Sequence, residues 1–216
     1  MKVNTVQSPS FQGIPISEYS VVGSKAKYKL YDITQKDCEF LSDLSKKINL
    51  EKLMPNMKEG DYFLWNGILH NALESSDLRY KKIFIETINN VPCGVMNYFD
   101  SSRMFHVNYV ATFPDKSEHR VPCAGQILFN ELFRRFINSD AQKIELTASR
   151  NAPFSPISTY LKLGFKMFGG NEYSEIMRIR EENILETLEK QRKFLTYEPL
   201  NYPKDVDLGK IISING

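Results

Sequence analysis

The chain has 216 residues, 42% of them hydrophobic, 25% charged and 12% aromatic, with a formal net charge of +2. That length allows one domain that buries roughly 70% of its unfolded surface, and the composition excludes global disorder. So small a net charge excludes the strong basic field that nucleic-acid binding draws on.

Residues 1–26 read as a flexible arm ahead of a domain spanning 27–180. Met1 to Tyr19 has no basic start followed by an apolar core, so no secretory signal is expected. No run approaches 18 apolar residues, and the expectation is a cytoplasmic protein with no membrane association. The three cysteines, Cys38, Cys93 and Cys123, are widely spaced with no CxxC, which argues against a disulfide framework and a zinc site. The three histidines, His70, His106 and His119, include no HExxH, so no metal is expected.

Tyr28 to Thr34 alternates β-formers and predicts a strand. Thr34 then caps a helix to about Ile48, with Phe40, Leu41, Leu44 and Ile48 at helical spacing. Met54-Pro55-Asn56 breaks it. Asp61 opens a second helix whose apolar stripe is Phe63, Leu64, Ile68, Leu69 and Leu73. The period then changes to that of strands. Lys82–Ile88, Val91–Phe99 and Met104–Phe113 predict three strands joined by short turns at Asn89-Asn90 and Ser101-Ser102, an antiparallel meander.

A polar loop, Pro114 to Arg120, leads to an amphipathic helix from about Ala124 to Asn138. Ile127, Leu128, Leu132, Phe133, Phe136 and Ile137 form its apolar face; Gln126, Asn130, Arg134 and Arg135 are expected to face water. Lys143–Ala148 predicts a buried strand and Pro156–Leu163 a short helix ended by Gly164. Phe165–Phe168 and Ser174–Ile179 predict a last pair of strands. A charged helix, Glu182 to Leu195, and an extended tail from Tyr197 are read as an appendage over 181–216. The order β-α-α-β-β-β-α-β-α-β-β describes an α+β domain on one mixed, mostly antiparallel central sheet flanked by helices.

Two stretches carry chemistry. Arg120-Val121-Pro122-Cys123-Ala124-Gly125-Gln126 lies between a strand and a helix, where unpaired N–H groups and the helix dipole bind phosphate. Gly125 permits close approach of a pyrophosphate, and His119 and Arg120 stand where a cation helps hold it. The bland alternative is an ordinary capped helix after a surface loop. Tyr160-Leu161-Lys162-Leu163-Gly164-Phe165 ends a short helix and enters a strand; alone it is a helix C-cap with a core phenylalanine.

Taken together, the two stretches resemble the GNAT acetyltransferase superfamily. That family has a strand, an Arg/Gln-x-x-Gly-x-Gly/Ala loop opening a helix, a second strand, and a helix ending in Tyr-x-x-Leu-Gly-Phe. The resemblance covers roughly Tyr28 to Ile179. It departs at Cys123, where the loop's first glycine would be, and at Pro122, which has no N–H to offer a phosphate.

The resemblance implies acetyl-CoA, or another acyl-CoA, as co-substrate. The loop from Arg120 through Val121, Cys123, Ala124 and Gly125 to Gln126 would cradle its pyrophosphate. Val110, Ala111 and Thr112 would bond the pantetheine amides between two strands that splay apart. Asn151 falls where the family often places a cofactor-contacting asparagine. Tyr160 matches the tyrosine that protonates the departing thiolate, which suits a phenol. The resemblance also leaves room for a homodimer.

The general base stays open. His106 and Asn108 are expected on one strand face, and an imidazole ordinarily titrates near 6.5. Glu86 is a second candidate, Glu118 a third, and a water chain a fourth. Tyr62, Phe63, Trp65, His70 and Tyr98 are the side chains available near an acceptor. The expected activity is transfer of an acyl group to the primary amine of a small molecule or protein. The alternative is a degenerate member of this fold that senses acyl-CoA or binds a protein.

Overall fold

The computed structural model describes residues 11–48, 59–74, 79–113, 122–152 and 155–200, leaving aside the side chains of 61 and 62. Nine strands form one sheet in the order β7-β8-β6-β5-β4-β3-β2-β1-β9. They are β1 (Ile14–Val21), β2 (Lys27–Asp32), β3 (Lys81–Thr87), β4 (Pro92–Asp100), β5 (Phe105–Thr112), β6 (Ile144–Ser149), β7 (Lys166–Gly170), β8 (Ser174–Ile179) and β9 (Leu195–Pro199). The helices are α1 (Cys38–Lys47), α2 (Glu59–Glu74), α3 (Ala124–Ile137), α4 (Pro156–Lys162) and α5 (Glu181–Gln191). Every pairing is antiparallel except β5 with β6. The α+β expectation and its mostly antiparallel sheet hold.

Strand alternation sends neighbouring side chains to two separate cores. Ile83 and Ile85 join Phe133, Leu132 and Leu128 of α3 and Ile184 and Leu188 of α5. Phe84, between them in sequence, joins Leu41 of α1 and Leu69 and Leu73 of α2. The helices therefore cover both faces of the sheet, α1 and α2 on one and α3 and α5 on the other.

Three expectations are corrected. The arm expected over 1–26 contains β1, which pairs with β2 on one side and β9 on the other. Of the tail expected from Tyr197, residues 197–199 belong to β9 and α5 packs into the α3-side core, so neither is a loose appendage; residues 201–216 lie outside the described residues. The polar face expected on α3 is largely internal: Asn130 and Arg134 are each 2% exposed, and the Arg135 side chain is mostly covered. Tyr19 of β1 donates to Asn130 Oδ1 at 2.9 Å and Ser17 to Glu131 Oε2 at 2.9 Å. The strands missed at one sheet edge are thus what buries these polar residues. Phe63, placed in the apolar stripe of α2, is 67% exposed, whereas Leu69 and Leu73 are buried as expected. The breaker at 54–56 and the loop at 114–120 lie outside the described residues.

Candidate functional site

The site grows from an unequal pairing. β5 and β6 run parallel and pair only at Phe105 with Ile144, His106 with Glu145 and Val107 with Leu146. Beyond Val107, β5 follows β4 as far as Thr112. β6 instead follows β8 as far as Ser149. The two strands open into a fork, and the edge of 108–112 that faces β6 has no ladder partner among the described residues.

A β-bulge sits where the fork begins. Asn97 of β4 pairs with Tyr109 and Tyr98 with Val107, so Asn108 is the extra residue. A bulge reverses which face each later residue takes. Phe105 and Val107 join the α3-side core, and after the bulge it is Val110 that packs there, while Tyr109 and Ala111 pack on the α2 side. The strict alternation expected to put His106 and Asn108 on one face is therefore interrupted at Asn108.

The open end of the fork leads to α3. Its N-cap, Cys123, has φ +64° and ψ 7°, a left-handed conformation, and makes no side-chain cap. The first helical bond is Ile127 N–H to Cys123 O at 2.8 Å. The N–H groups of Ala124, Gly125 and Gln126 have no acceptor among the described residues. Gly125 lies over Thr112: a Cβ there would meet Thr112 Cγ2 at 3.7 Å, an ordinary contact. Internal packing does not require glycine at 125, which suits space kept for a ligand. The loop ahead of the helix is anchored by Tyr28 of β2, which donates from its hydroxyl to Pro122 O at 2.9 Å.

Tyr160 lies one helical turn from this cradle. Its ring packs edge-on against Phe129 of α3 at 5.7 Å and Phe165 at 5.9 Å. Phe129 and Gly125 are four residues apart and share a face of α3. The end of α4 is fixed by Phe165 N–H to Tyr160 O at 3.0 Å. Gly164 has φ +90°, and a Cβ there would come within 2.7 Å of Thr187 Oγ1. Burial pushes the Tyr160 phenol up to about 12. Its hydroxyl makes no hydrogen bond among the described residues.

The structure thus brings together Thr112, Cys123, Ala124, Gly125, Gln126 and Tyr160, with Val110 and Ala111 along the fork. Asn151 is exposed just past the end of β6, its N–H bonded to Ser149 Oγ at 3.3 Å. His119, Arg120 and Val121 lie outside the described residues, as does Glu118. The two described base candidates are far apart. His106 is at the closed end of the fork, paired across to Phe99, with Nδ1 4.0 Å from Glu145 Oε1. Glu86 pairs with Pro92, seven residues along β4 from Phe99, which is roughly 23 Å at ~3.3 Å per residue. Burial raises the Glu86 carboxyl, and Tyr31 donates to it at 2.8 Å.

Of the acceptor-side candidates, Tyr98 belongs to the α3-side core and accepts from Arg135 at 3.0 Å. His70 is tied between Ser45 at 2.7 Å and Glu74 at 3.1 Å. Trp65, on α2, is half-buried against the α2-side core, and the Tyr62 side chain is outside the described residues. Two residues escaped the sequence reading. Tyr28 was legible only as a strand tyrosine, because its partner is 94 positions away. Asn97 is fully buried beside the bulge, with neither amide atom bonded; a lone asparagine in a strand gives no signal for that.

The fork, the α3 start and the tyrosine helix can be set beside known structures. PaiA N-acetyltransferase from Thermoplasma acidophilum, solved with coenzyme A, matches with TM-score 0.51 and 13% identity, over 71% of this chain and 98% of that one. Apo FdhC, a nucleotide-linked sugar GNAT, matches with TM-score 0.54 and 13% identity, over 87% and 100%. This chain has the GNAT fold. The expectation drawn from Tyr160-Leu161-Lys162-Leu163-Gly164-Phe165 and the Gly125 loop is met at the level of fold. No protein-family model matches the sequence, and no curated protein matches it significantly. In this chain β1 and β9 form one edge of the sheet beyond β2, and α5 packs with α3. Among the described residues no helix is long and apolar enough to cross a membrane.

Proposed function

We propose that this chain is an acyl-CoA-dependent N-acyltransferase that moves an acetyl group from acetyl-CoA to the primary amine of a small molecule or protein. The observation that carries the reading is the fork between β5 and β6, opening onto unbonded N–H groups at the start of α3. The residues present fit the cofactor. The N–H groups of Ala124, Gly125 and Gln126 would hold the pyrophosphate, with the helix dipole behind them. The free edge of Val110 to Thr112 would bond the pantetheine amides. When bound, acetyl-CoA supplies an activated thioester.

Direct attack forms a bond from the acceptor nitrogen to the acyl carbon and breaks the carbon–sulfur bond. The nitrogen's proton leaves to a base, for which we take His106, at the root of the fork, ahead of Glu86. Tyr160 gives its proton to the departing sulfur and regains one from water. A phenol held near 12 stays protonated throughout the physiological range. That suits a proton donor and disqualifies Tyr160 as the base.

Calorimetry with coenzyme A on the native chain and on Gly125→Glu tests the cradle. Micromolar binding lost by at least about a hundredfold in the variant supports it. A folded native chain that ignores millimolar coenzyme A would falsify the reading. A second reading, an acyl-CoA sensor or protein-binding module without turnover, draws support from Cys123. A non-glycine residue there carries the left-handed strain that the family's glycine avoids. Binding without thiol release across a panel of amines would favour it.

A further inference from the structure

A row of polar side chains crosses the sheet on the face opposite α3. Ile144, Leu146 and Ala148 of β6, with Met177 and Ile179 of β8, join the α3-side core. Alternation therefore sends Glu145 and Arg178 to the other face. The core beneath α1 and α2 draws on no described residue of β6, β7 or β8. On β5, His106 stands between Phe105 and Val107 of the α3-side core, ahead of the bulge, and so takes the same face as Glu145. Register sets the three side by side: His106 pairs with Glu145, and Glu145 with Arg178.

The two carboxylate oxygens of Glu145 are used differently. Oε2 accepts from Arg178 Nε and from Lys143 Nζ, the latter at 3.5 Å. Arg178 is itself held over the Phe168 ring, its guanidinium carbon 3.2 Å from the centroid. The partner of Oε1 among the described residues is His106 Nδ1, at 4.0 Å. Burial alone would raise the Glu145 carboxyl, but Arg178 and Lys143 hold it below the ordinary carboxylate range, so it is an anion. The His106 side chain is 31% exposed, which leaves the ring room to turn and close the gap of about 1 Å to hydrogen-bond length. Hydrogen bonds of active-site groups often tighten from such lengths when substrate is bound.

We propose that Glu145 is the positioning residue of the base: it accepts a hydrogen bond from His106 Nδ1–H and leaves Nε2 unprotonated to receive the acceptor's proton. Which imidazole nitrogen is free to work is set by the bond the other one makes. A carboxylate at Nδ1 fixes tautomer and ring orientation, and it stabilises the imidazolium formed when the proton arrives. Arg178 and Lys143 contribute by occupying Oε2, so that Oε1 is the oxygen turned to His106. His106 as the base rests on the acyltransferase reading; the tautomer does not.

The chain has three histidines, so the ring nitrogens of His106 can be followed by long-range ¹H–¹⁵N NMR in the full chain, with the ring neutral and no coenzyme A added. The Nδ1–H tautomer is expected. Glu145→Gln is the deciding variant. Arg178 and Lys143 can only donate, so the new amide gives them its oxygen and turns its NH2 to His106. That NH2 donates to Nδ1 and drives the ring to the Nε2–H tautomer, which has no lone pair where the base needs one. Glu145→Gln should therefore lower kcat at least about a hundredfold, and Glu145→Ala, which imposes no tautomer, about tenfold, both with little change in KM for acetyl-CoA. A native-like backbone amide spectrum confirms that both variants fold. An Nε2–H tautomer in the native chain, a tautomer unmoved by Glu145→Gln, or near-native kcat in Glu145→Gln would each overturn the role. A native chain that binds no coenzyme A would instead sink the acyltransferase reading, and the catalytic half of this role with it, while the tautomer result stands apart.

Discussion

The hydroxyl of Tyr28, on β2, donates to the carbonyl oxygen of Pro122 at 2.9 Å and so reaches across the sheet to hold the residue next to the helix N-cap. Tyr28 is 1% exposed, and burial pushes its phenol well up, so it stays a donor at any working pH. Pro122 lacks an N–H, which leaves its carbonyl as the group by which the loop can be fixed. Tyr28→Phe keeps the ring and removes the tether. Urea unfolding is expected to show a loss of about 1 kcal/mol. Coenzyme A affinity should fall about fivefold because the cradle is no longer pre-set. An affinity unchanged while stability drops would make the tether structural only.

Cys123 answers for the loop's strain. At φ +64° its Cβ pays a left-handed penalty of about 1–2 kcal/mol. Glycine removes the penalty and gives back ~0.4–1 kcal/mol through the freedom of the unfolded chain. Cys123→Gly should therefore stabilise the protein, by up to about 1 kcal/mol in urea unfolding, and bind coenzyme A at least as well. A helix start would favour thiolate at this cysteine, but burial raises its thiol instead. Alkylation by iodoacetamide at neutral pH should run slower than for free cysteine. Faster alkylation would show that the dipole outweighs burial.

How far the fold could be read from sequence depended on how local its causes are. The α3 face Ile127, Leu128, Leu132, Phe133, Phe136 and Ile137 is buried as a unit, because the period alone specifies it. The meander β3-β4-β5 is set by short turns, and Asn90, at φ +60°, takes the conformation its turn demands. β1 was hidden because Ile14–Val21 becomes a strand only between β2 and β9, and β9 lies about 180 residues further on. Missing it made Asn130 and Arg134 look solvated. The tyrosine helix and the Gly125 loop were legible as spacing. The bulge at Asn108, which sets where the fork opens, has no signature in Val107-Asn108-Tyr109.

His106 and Glu86 can be separated by substitution. Burial raises the Glu86 carboxyl in the folded chain. Its protonated form is thus favoured by folding, and the associated stability is full below the unfolded carboxyl range and lost as pH rises through the folded value. Glu86→Gln keeps an acceptor for Tyr31 and removes the buried charge. The variant should be more stable than the native chain at pH 7, with the gap closing towards pH 4, as followed by urea unfolding at both. Its turnover should be near native. His106→Gln should lower kcat about a hundredfold. Near-native turnover in His106→Gln with a hundredfold loss in Glu86→Gln would reverse the assignment.

Tyr160→Phe isolates one proton. The ring contacts to Phe129 and Phe165 need no hydroxyl, so the melting temperature at pH 7 should hold. The native phenol is raised from 10.0 to about 12; folding favours its protonated form, so that stability is present below pH 10 and lost between about 10 and 12. The native melting temperature should therefore fall below that of the variant across that window, having matched it at pH 7. In turnover, loss of the donor should lower kcat about a hundredfold with little change in coenzyme A affinity. The discriminating measurement uses an acetyl thioester whose thiol is more acidic than that of coenzyme A. A better leaving group needs less protonation, so the variant's deficit should shrink with it. A deficit of equal size for both thioesters would mean that Tyr160 positions the cofactor rather than protonating the leaving sulfur.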